Sequence, residues 1–589
     1  VTGFDAAEVA RWASASWTRV PSEVLCGFSI DTRQLRPGQV FVALKTEKCD
    51  GHDYLAAAKA AGAAAALVAR ADTSLDLPQL VVSECGDLGG DRCESAGGTL
   101  RAFQRIAQNH RERFQAAGGK VIGITGSVGK TSTKNLLAAL LGAQSGQGDR
   151  VLATEGNLNN HLGVPLTLTR IDPARHRFAV IEAGIGGPGE MEPLAKMIGP
   201  DVAIITAVAP AHLAALGDIE GVAREKAILA AHTRDGGDKR ESLGVDQCAG
   251  GGGVAIFPES LRDFAAFRSL QTRRISEGTF GGLSTEFSLP KLSAGMTGNA
   301  RLAIRTALYL GVAPAQIQAR LDTWAPAPLR GQTFSESDGR FIYLDCYNAN
   351  PASMADALDA FYAQAPEALP RVFVLGGMEE LGERSVMFHR ALGRSLRLRP
   401  QDRAYAIGDE AEALRTGALE SGLVAPAQIS VVETLAALRA ALAEFHGALF
   451  LKGSRRYQLE TLIAPDGSAA GKPNDEATAN KLSKRKEFAA KTLWKGNPAG
   501  EDGSEISHAL PPYAQSGSGD ALTVVKRPTA VKAVGDCSFP NMSGATRSET
   551  LVKPESETLN SASQPFGDEA VRSVTASLRQ NGGGSMPRA

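Results

Sequence analysis

The stretch that decides the fold reads Gly123-Ile124-Thr125-Gly126-Ser127-Val128-Gly129-Lys130-Thr131-Ser132. It closes a short β-branched run, Lys120 to Thr125, and precedes a helical run from Asn135 to Leu141. Glycines let the backbone turn tightly enough for successive N–H groups to converge on phosphate oxygens, and a helix N-terminus adds its positive dipole end. In such a loop Lys130 reaches the β- and γ-phosphates of ATP, the Thr131 hydroxyl sits on Mg²⁺, and Gly126, Ser127, Gly129 and Ser132 complete the cradle. The first glycine stands one residue further from the Gly-Lys pair than the common spacing allows.

Working outward, the runs Phe178 to Ile181 and Val202 to Ala207 read as buried strands separated by helical patterns, the signature of a parallel sheet with crossover helices. The alternation returns in Phe341 to Leu344, Val372 to Leu375, Ala404 to Ile407 and Leu449 to Leu451, which predicts a second, smaller α/β domain. Before the phosphate loop, short apolar runs such as Val40 to Leu44 alternate with alanine-rich helical stretches. The expected organisation is therefore an N-terminal domain over 1–119, a central ATP-binding domain over 120–324 with an inserted loop at 232–253, and a Rossmann-like domain over 325–463. From 464 to 589, Ser, Gly, Pro, Thr, Asn and Lys dominate and periodicity vanishes. Such a segment cannot bury enough apolar area to offset its ordering entropy, so a disordered tail is expected. Residues 84–98 read as a polar surface loop.

The chain has 589 residues, too many for one core. Its net charge of −1 gives no global pull toward nucleic acid or an anionic membrane surface. The seven cysteines, odd in number and irregularly spaced, fit neither a disulfide framework nor a zinc site and suit a reducing compartment. Val1 to Trp17 mixes charges with apolar residues and has no secretory signal core, and the most apolar run, Ala60 to Ala69, is too short to span a bilayer. A cytoplasmic protein without membrane insertion is expected.

The phosphate-loop variant resembles that of the Mur ligase family and its folylpolyglutamate synthetase relatives, and the likeness extends from about Phe28 to Ile463, the inserted loops excepted. Ser29 to Arg33, Pro37 to Leu44 and Asp50 to Asp53 are similar to the family's uridine-nucleotide-binding domain, where Thr32 and Arg33 would meet uracil and diphosphate. Alone, these residues read equally as a turn and a surface pair. The Gly156–Pro165 segment brings Asn157, Asn159 and Asn160, which the family uses near the diphosphate and the reacting carboxylate. Glu182, at a strand's carboxyl end, suits Mg²⁺. The resemblance assigns His212 to a second Mg²⁺ and Lys226 to a lysine carbamylated by CO₂. By composition alone, the first is a structural or exposed histidine and the second a helical surface lysine. Asn299 falls where the family touches adenine, although the usual His-Asn pair before it is absent, and Arg330 where it meets nucleotide phosphate.

Asp345-Cys346-Tyr347-Asn348-Ala349-Asn350-Pro351 is the most discriminating run, because it resembles the motif of family members that accept D-alanyl-D-alanine. Asp345 and Asn348 would contact nucleotide, and Tyr347 and Asn350 the incoming dipeptide. Cys346 stands where serine is usual, which removes a hydroxyl donor, and Gly377 where aspartate is usual. Lys452 and Ser454 lie in a late strand-end motif expected to face the cleft. The resemblance implies a three-domain α/β ligase joining UDP-N-acetylmuramoyl-tripeptide to D-alanyl-D-alanine through an acyl phosphate, with Lys130, Glu182, His212 and Lys226 at the reacting centre; a monomer is expected. A sibling adding one amino acid, or a nucleotide-binding regulator without ligase activity, remain alternatives at this point.

Overall fold

A computed structural model describes residues 3–46, 49–82, 98–143, 150–234, 254–270, 273–274, 287–336 and 339–463. The polar loop over 84–97, the body of the insertion over 235–253 and the tail over 464–589 lie outside the described residues. Gly98, assigned to the loop by its sequence, instead begins a helix.

Three sheets organise the described chain. In the N-terminal sheet the spatial order is Ala15–Trp17, Gln79–Val82, Ala65–Val68, Val40–Val42 and Phe28–Ser29, with only the first pairing antiparallel. The central sheet runs Arg273–Arg274, Val254–Ile256, Val202–Ile205, Lys120–Thr125, Phe178–Glu182 and Val151–Ala153, all parallel. The third sheet runs Gln332–Ser335, Phe341–Asp345, Ala448–Lys452, Arg371–Gly376, Arg403–Ile407 and Ile429–Val431, antiparallel only at its first edge.

Strands that are apolar along their whole length make sense only if both sheet faces are covered, and Phe178–Glu182 and Val202–Ile205 are buried throughout. One face of the central sheet packs on the Lys130–Leu141 and Ala294–Tyr309 helices through Leu136, Leu137, Leu140, Ala300, Ala303 and Ala307. The other packs on Met191–Ile198 and Ile219–Ala231. Successive crossovers from Lys120–Thr125 lead to opposite sides of that strand, first toward Val151–Ala153 and later to Val202–Ile205. The phosphate loop therefore opens at the point where the winding reverses, the crevice where such sheets bind ligands.

The helix Gly98–Ala116 belongs to two cores at once. Ala102, Phe103 and Ile106 pack in the N-terminal core, whereas Ala107 and Phe114 pack in the central one. No described helix is long and apolar enough to cross a membrane.

Candidate active site

The phosphate loop is held open by its backbone. Gly126 and Gly129 have φ of 152° and 85°, and an added Cβ would lie 1.9 Å from the Thr206 hydroxyl at Gly126 and 2.5 Å from the Asn299 amide at Gly129. Only glycine fits either position. The Ser127 hydroxyl donates to the Ala209 carbonyl at 2.9 Å and accepts from the Ala209 N–H at 3.0 Å, tying the loop to the neighbouring strand's exit. Lys130 opens the helix and donates from Nζ to the Gly126 carbonyl at 2.7 Å. Burial lowers its ammonium pKa, against the pull of Glu182.

Glu182 ends its strand opposite Ile124, which levels its carboxylate with the loop. Asn159 Nδ2 donates to Glu182 Oε1 at 2.8 Å, and the Thr131 hydroxyl donates to the same oxygen at 3.3 Å. Lys134 Nζ stands 3.5 Å from Oε2, and both side chains are 3% exposed or less. Oε2 nevertheless accepts no hydrogen bond within the described structure. A buried carboxylate oxygen with an ion-pair partner but no hydrogen bond, beside a threonine hydroxyl and a phosphate loop, has the ligand chemistry of one Mg²⁺ site. Lys134 escaped the sequence reading. Its position four residues after Lys130, on the same helix face, was the available signal.

Arg330 reaches the loop from the linker. Its Nη2 donates to Thr131 Oγ1 at 3.2 Å, and its guanidinium lies 3.9 Å from the Tyr347 ring centroid. Leu329 before it adopts φ 63°, a conformation costly for a non-glycine residue, and this turn aims the arginine into the cleft. Across the cleft, Lys452 Nζ donates to Asp345 Oδ2 at 2.6 Å and to the Asn348 carbonyl at 3.1 Å. These elements enclose a cavity of about 850 Å³, lined among others by Ser127 to Ser132, Asn157, Asn159, Glu182, Asn299, Arg330, Asp345, Tyr347, Asn348, Asn350 and Lys452.

The other candidate residues sit in varied surroundings. Lys226 is no surface lysine: its side chain is buried on the Ile219–Ala231 helix, where burial and then the charge of Lys130 push its pKa well below the usual lysine range. The helical pattern could not reveal this, because the helix is covered on more than one face. His212, which the resemblance assigns to a second Mg²⁺, pairs through Nδ1 with Glu380 at 2.7 Å, and both residues have positive φ, 54° and 65°. Among the described residues no three His, Cys, Asp or Glu side chains gather as a metal cluster. Asn160 braces the turn ahead of the Gly163–Leu168 helix, its Oδ1 accepting from the Leu162 and Gly163 N–H groups.

Asn299 rests on Gly129 rather than standing clear for a base. Lys452 is almost fully buried and committed to Asp345, and Ser454 is buried outside the cavity lining. Thr32 and Arg33 also lie outside that lining, with Arg33 forked onto Asp31 at 3.0 and 2.7 Å. The Cys346 thiol is not a lost donor, since it donates to the Leu451 carbonyl at 3.2 Å. Gly377 has a steric reason: a Cβ there would meet the Tyr457 hydroxyl at 2.7 Å.

Fold and site together define a three-domain phosphate-loop protein whose third domain closes over the loop. Family models match it in sequence: "Mur ligase family, catalytic domain" over residues 26–85, "Mur ligase middle domain" over 124–240, and "Mur ligase, glutamate ligase domain" over 329–455. The UDP-N-acetylmuramoyl-tripeptide–D-alanyl-D-alanine ligase of Escherichia coli is 32% identical, over 74% of this chain and 92% of the relative. That of Bacillus subtilis is also 32% identical, over 67% and 83%. The crystal structure of MurF from Acinetobacter baumannii superposes with a TM-score of 0.63 at 28% identity, covering 79% of this chain and 98% of that one. The chain belongs to the Mur ligase family.

Proposed function

We propose that this chain is an ADP-forming ligase that joins D-alanyl-D-alanine to UDP-N-acetylmuramoyl-tripeptide in cytoplasmic peptidoglycan precursor synthesis, acting as a monomer. The observation that carries the reading is that the phosphate loop and the Asp345–Asn350 segment line one cavity, so nucleotide and incoming dipeptide would share a single reaction chamber. The identity to ligases of that name supports the same acceptor.

In the first step a carboxylate oxygen of the tripeptide attacks the γ-phosphorus of ATP. The bond to the β–γ bridging oxygen breaks, ADP leaves and an acyl phosphate remains. In the second, the dipeptide amine attacks the acyl carbon, inorganic phosphate leaves with the C–O electron pair, and the nitrogen loses a proton. Two anions must meet in the first step, and Lys130 and Arg330 lower that barrier by placing fixed positive charge at the phosphates. Asn157 and Asn159 donate without adding charge. Mg²⁺, held by Thr131 and Glu182, would neutralise further phosphate charge. Burial disfavours the ammonium form of Lys226, which favours attack of its amine nitrogen on CO₂ with loss of a proton to give a carbamate. That anion, together with His212 once its imidazole is released from Glu380, would be the group to hold a second Mg²⁺. Closure of the third domain excludes the water that would hydrolyse the acyl phosphate.

The test is phosphate release from ATP with UDP-N-acetylmuramoyl-tripeptide, with and without D-alanyl-D-alanine, while product mass is followed. Dipeptide-dependent release with the pentapeptide mass is expected. ATP binding without release on either mixture would overturn the reading.

A further inference from the structure

Helix Ala294–Tyr309 carries Asn299 onto the phosphate loop, and something must fix how deeply it sits. Its N-cap is Ser293, whose hydroxyl accepts from the Met296 N–H at 3.1 Å. The same hydroxyl donates at 2.6 Å to Oδ2 of Asp356, a residue of the third domain on the helix Pro351–Gln364. Oδ1 of Asp356 accepts from the Gly295 N–H at 2.8 Å. A carboxylate thus sits across the start of a helix from another domain, where unpaired N–H groups and the helix dipole favour negative charge. The approach is so close that a Cβ on Gly295 would lie 2.7 Å from Oδ2. Ser293, Gly295, Asn299 and Asp356 all line the cavity.

We infer that Asp356 is a positioning residue: by clasping Ser293 and Gly295 it seats the third domain on the Ala294–Tyr309 helix and, through Asn299 against Gly129, sets the phosphate loop for nucleotide. The inference rests on the nucleotide-binding reading of the cleft. The clasp makes ATP affinity depend on a contact some distance along the helix from the loop. It also gives Gly295 a reason to be glycine, since any side chain there would displace the carboxylate.

The experiment is steady-state kinetics of the full chain, varying ATP at saturating tripeptide and dipeptide. Asp356→Ala is expected to raise the KM for ATP by about tenfold, the worth of one charge-assisted hydrogen bond, with a smaller change in kcat. Gly295→Ala, which disturbs the clasp from the central domain's side, should raise the same KM. Asp356→Asn, which keeps an acceptor for the Gly295 N–H, should recover part of the loss. A merely structural role would lower kcat through loss of active enzyme and leave KM in place, and that result overturns the inference. An unchanged KM in both Asp356→Ala and Gly295→Ala overturns it equally. Failure of the wild-type chain to bind ATP would instead refute the reading beneath it.

Discussion

Replacing Lys134 with methionine should cost the protein far more than a typical helix-surface change. Its ammonium lies 3.5 Å from Glu182 Oε2, and neither side chain is more than 3% exposed. With an effective dielectric of about 20, the attraction across 3.5 Å is about 5 kcal/mol. Removing one member of such a pair strands the other charge, a change that costs about 3–5 kcal/mol in buried settings. Lys134→Met should therefore destabilise by about that amount, and Glu182→Gln should also destabilise. The double variant should fall short of the sum by about 2 kcal/mol or more, because neither charge is then left alone. Urea unfolding of the four proteins, compared by midpoint and slope, measures the cycle. A Lys134→Met cost below about 1 kcal/mol, or additivity within about 0.5 kcal/mol, would refute the claim that Lys134 neutralises Glu182.

Gly126→Ala places a Cβ 1.9 Å from the Thr206 hydroxyl at φ 152°; with about 1–3 kcal/mol of strain forced on the loop, calorimetric titration should show ATP binding weakened about tenfold or more. Exposure to ¹³C-labelled CO₂ should give a carbamate resonance in the wild type that is missing in Lys226→Ala, and short carboxylic acids should restore part of that variant's activity; wild-type activity in the bare variant would remove Lys226 from the site. Gly377→Asp should destabilise by about 1–3 kcal/mol through overpacking against Tyr457, and Tyr457→Ala should relieve most of it in thermal unfolding. A neutral Gly377→Asp would show that Tyr457 moves aside freely.

The parts of this molecule that local sequence can state are those set by local physics. The phosphate loop, its strand and its helix follow from glycine spacing and β-branched runs, and four of the six described strands of the third sheet follow from apolar runs of three or four residues. Glu182 was legible because a strand's end places it beside the loop. Lys226 was not, because burial on a helix covered from more than one side leaves no periodic trace. The Asp356 clasp was equally hidden, because its partners lie 61 and 63 residues away in another domain. His212 and Lys452 were singled out as residues of interest, but neither partner is local: Glu380 reaches His212 from the third domain, and Asp345 stands opposite Lys452 in the register of the third sheet. Gly377 and Cys346 look like losses until Tyr457 and the Leu451 carbonyl are seen beside them.

The helix Gly98–Ala116, with one half in each of two cores, bears on how this enzyme could be re-engineered. A cut after residue 119, the natural place to graft on a foreign N-terminal domain, would import counterparts of Ala107 and Phe114 that must fit a central core they did not evolve with. A transplant that swaps only residues before 98 leaves the helix in place but exposes Ala102, Phe103 and Ile106 to an unfamiliar sheet. Either chimaera needs compensating changes on both sides of the seam. The first two domains thus share a helix that belongs to both cores, while the third meets the central domain through Arg330 and through side-chain contacts such as the Asp356 clasp.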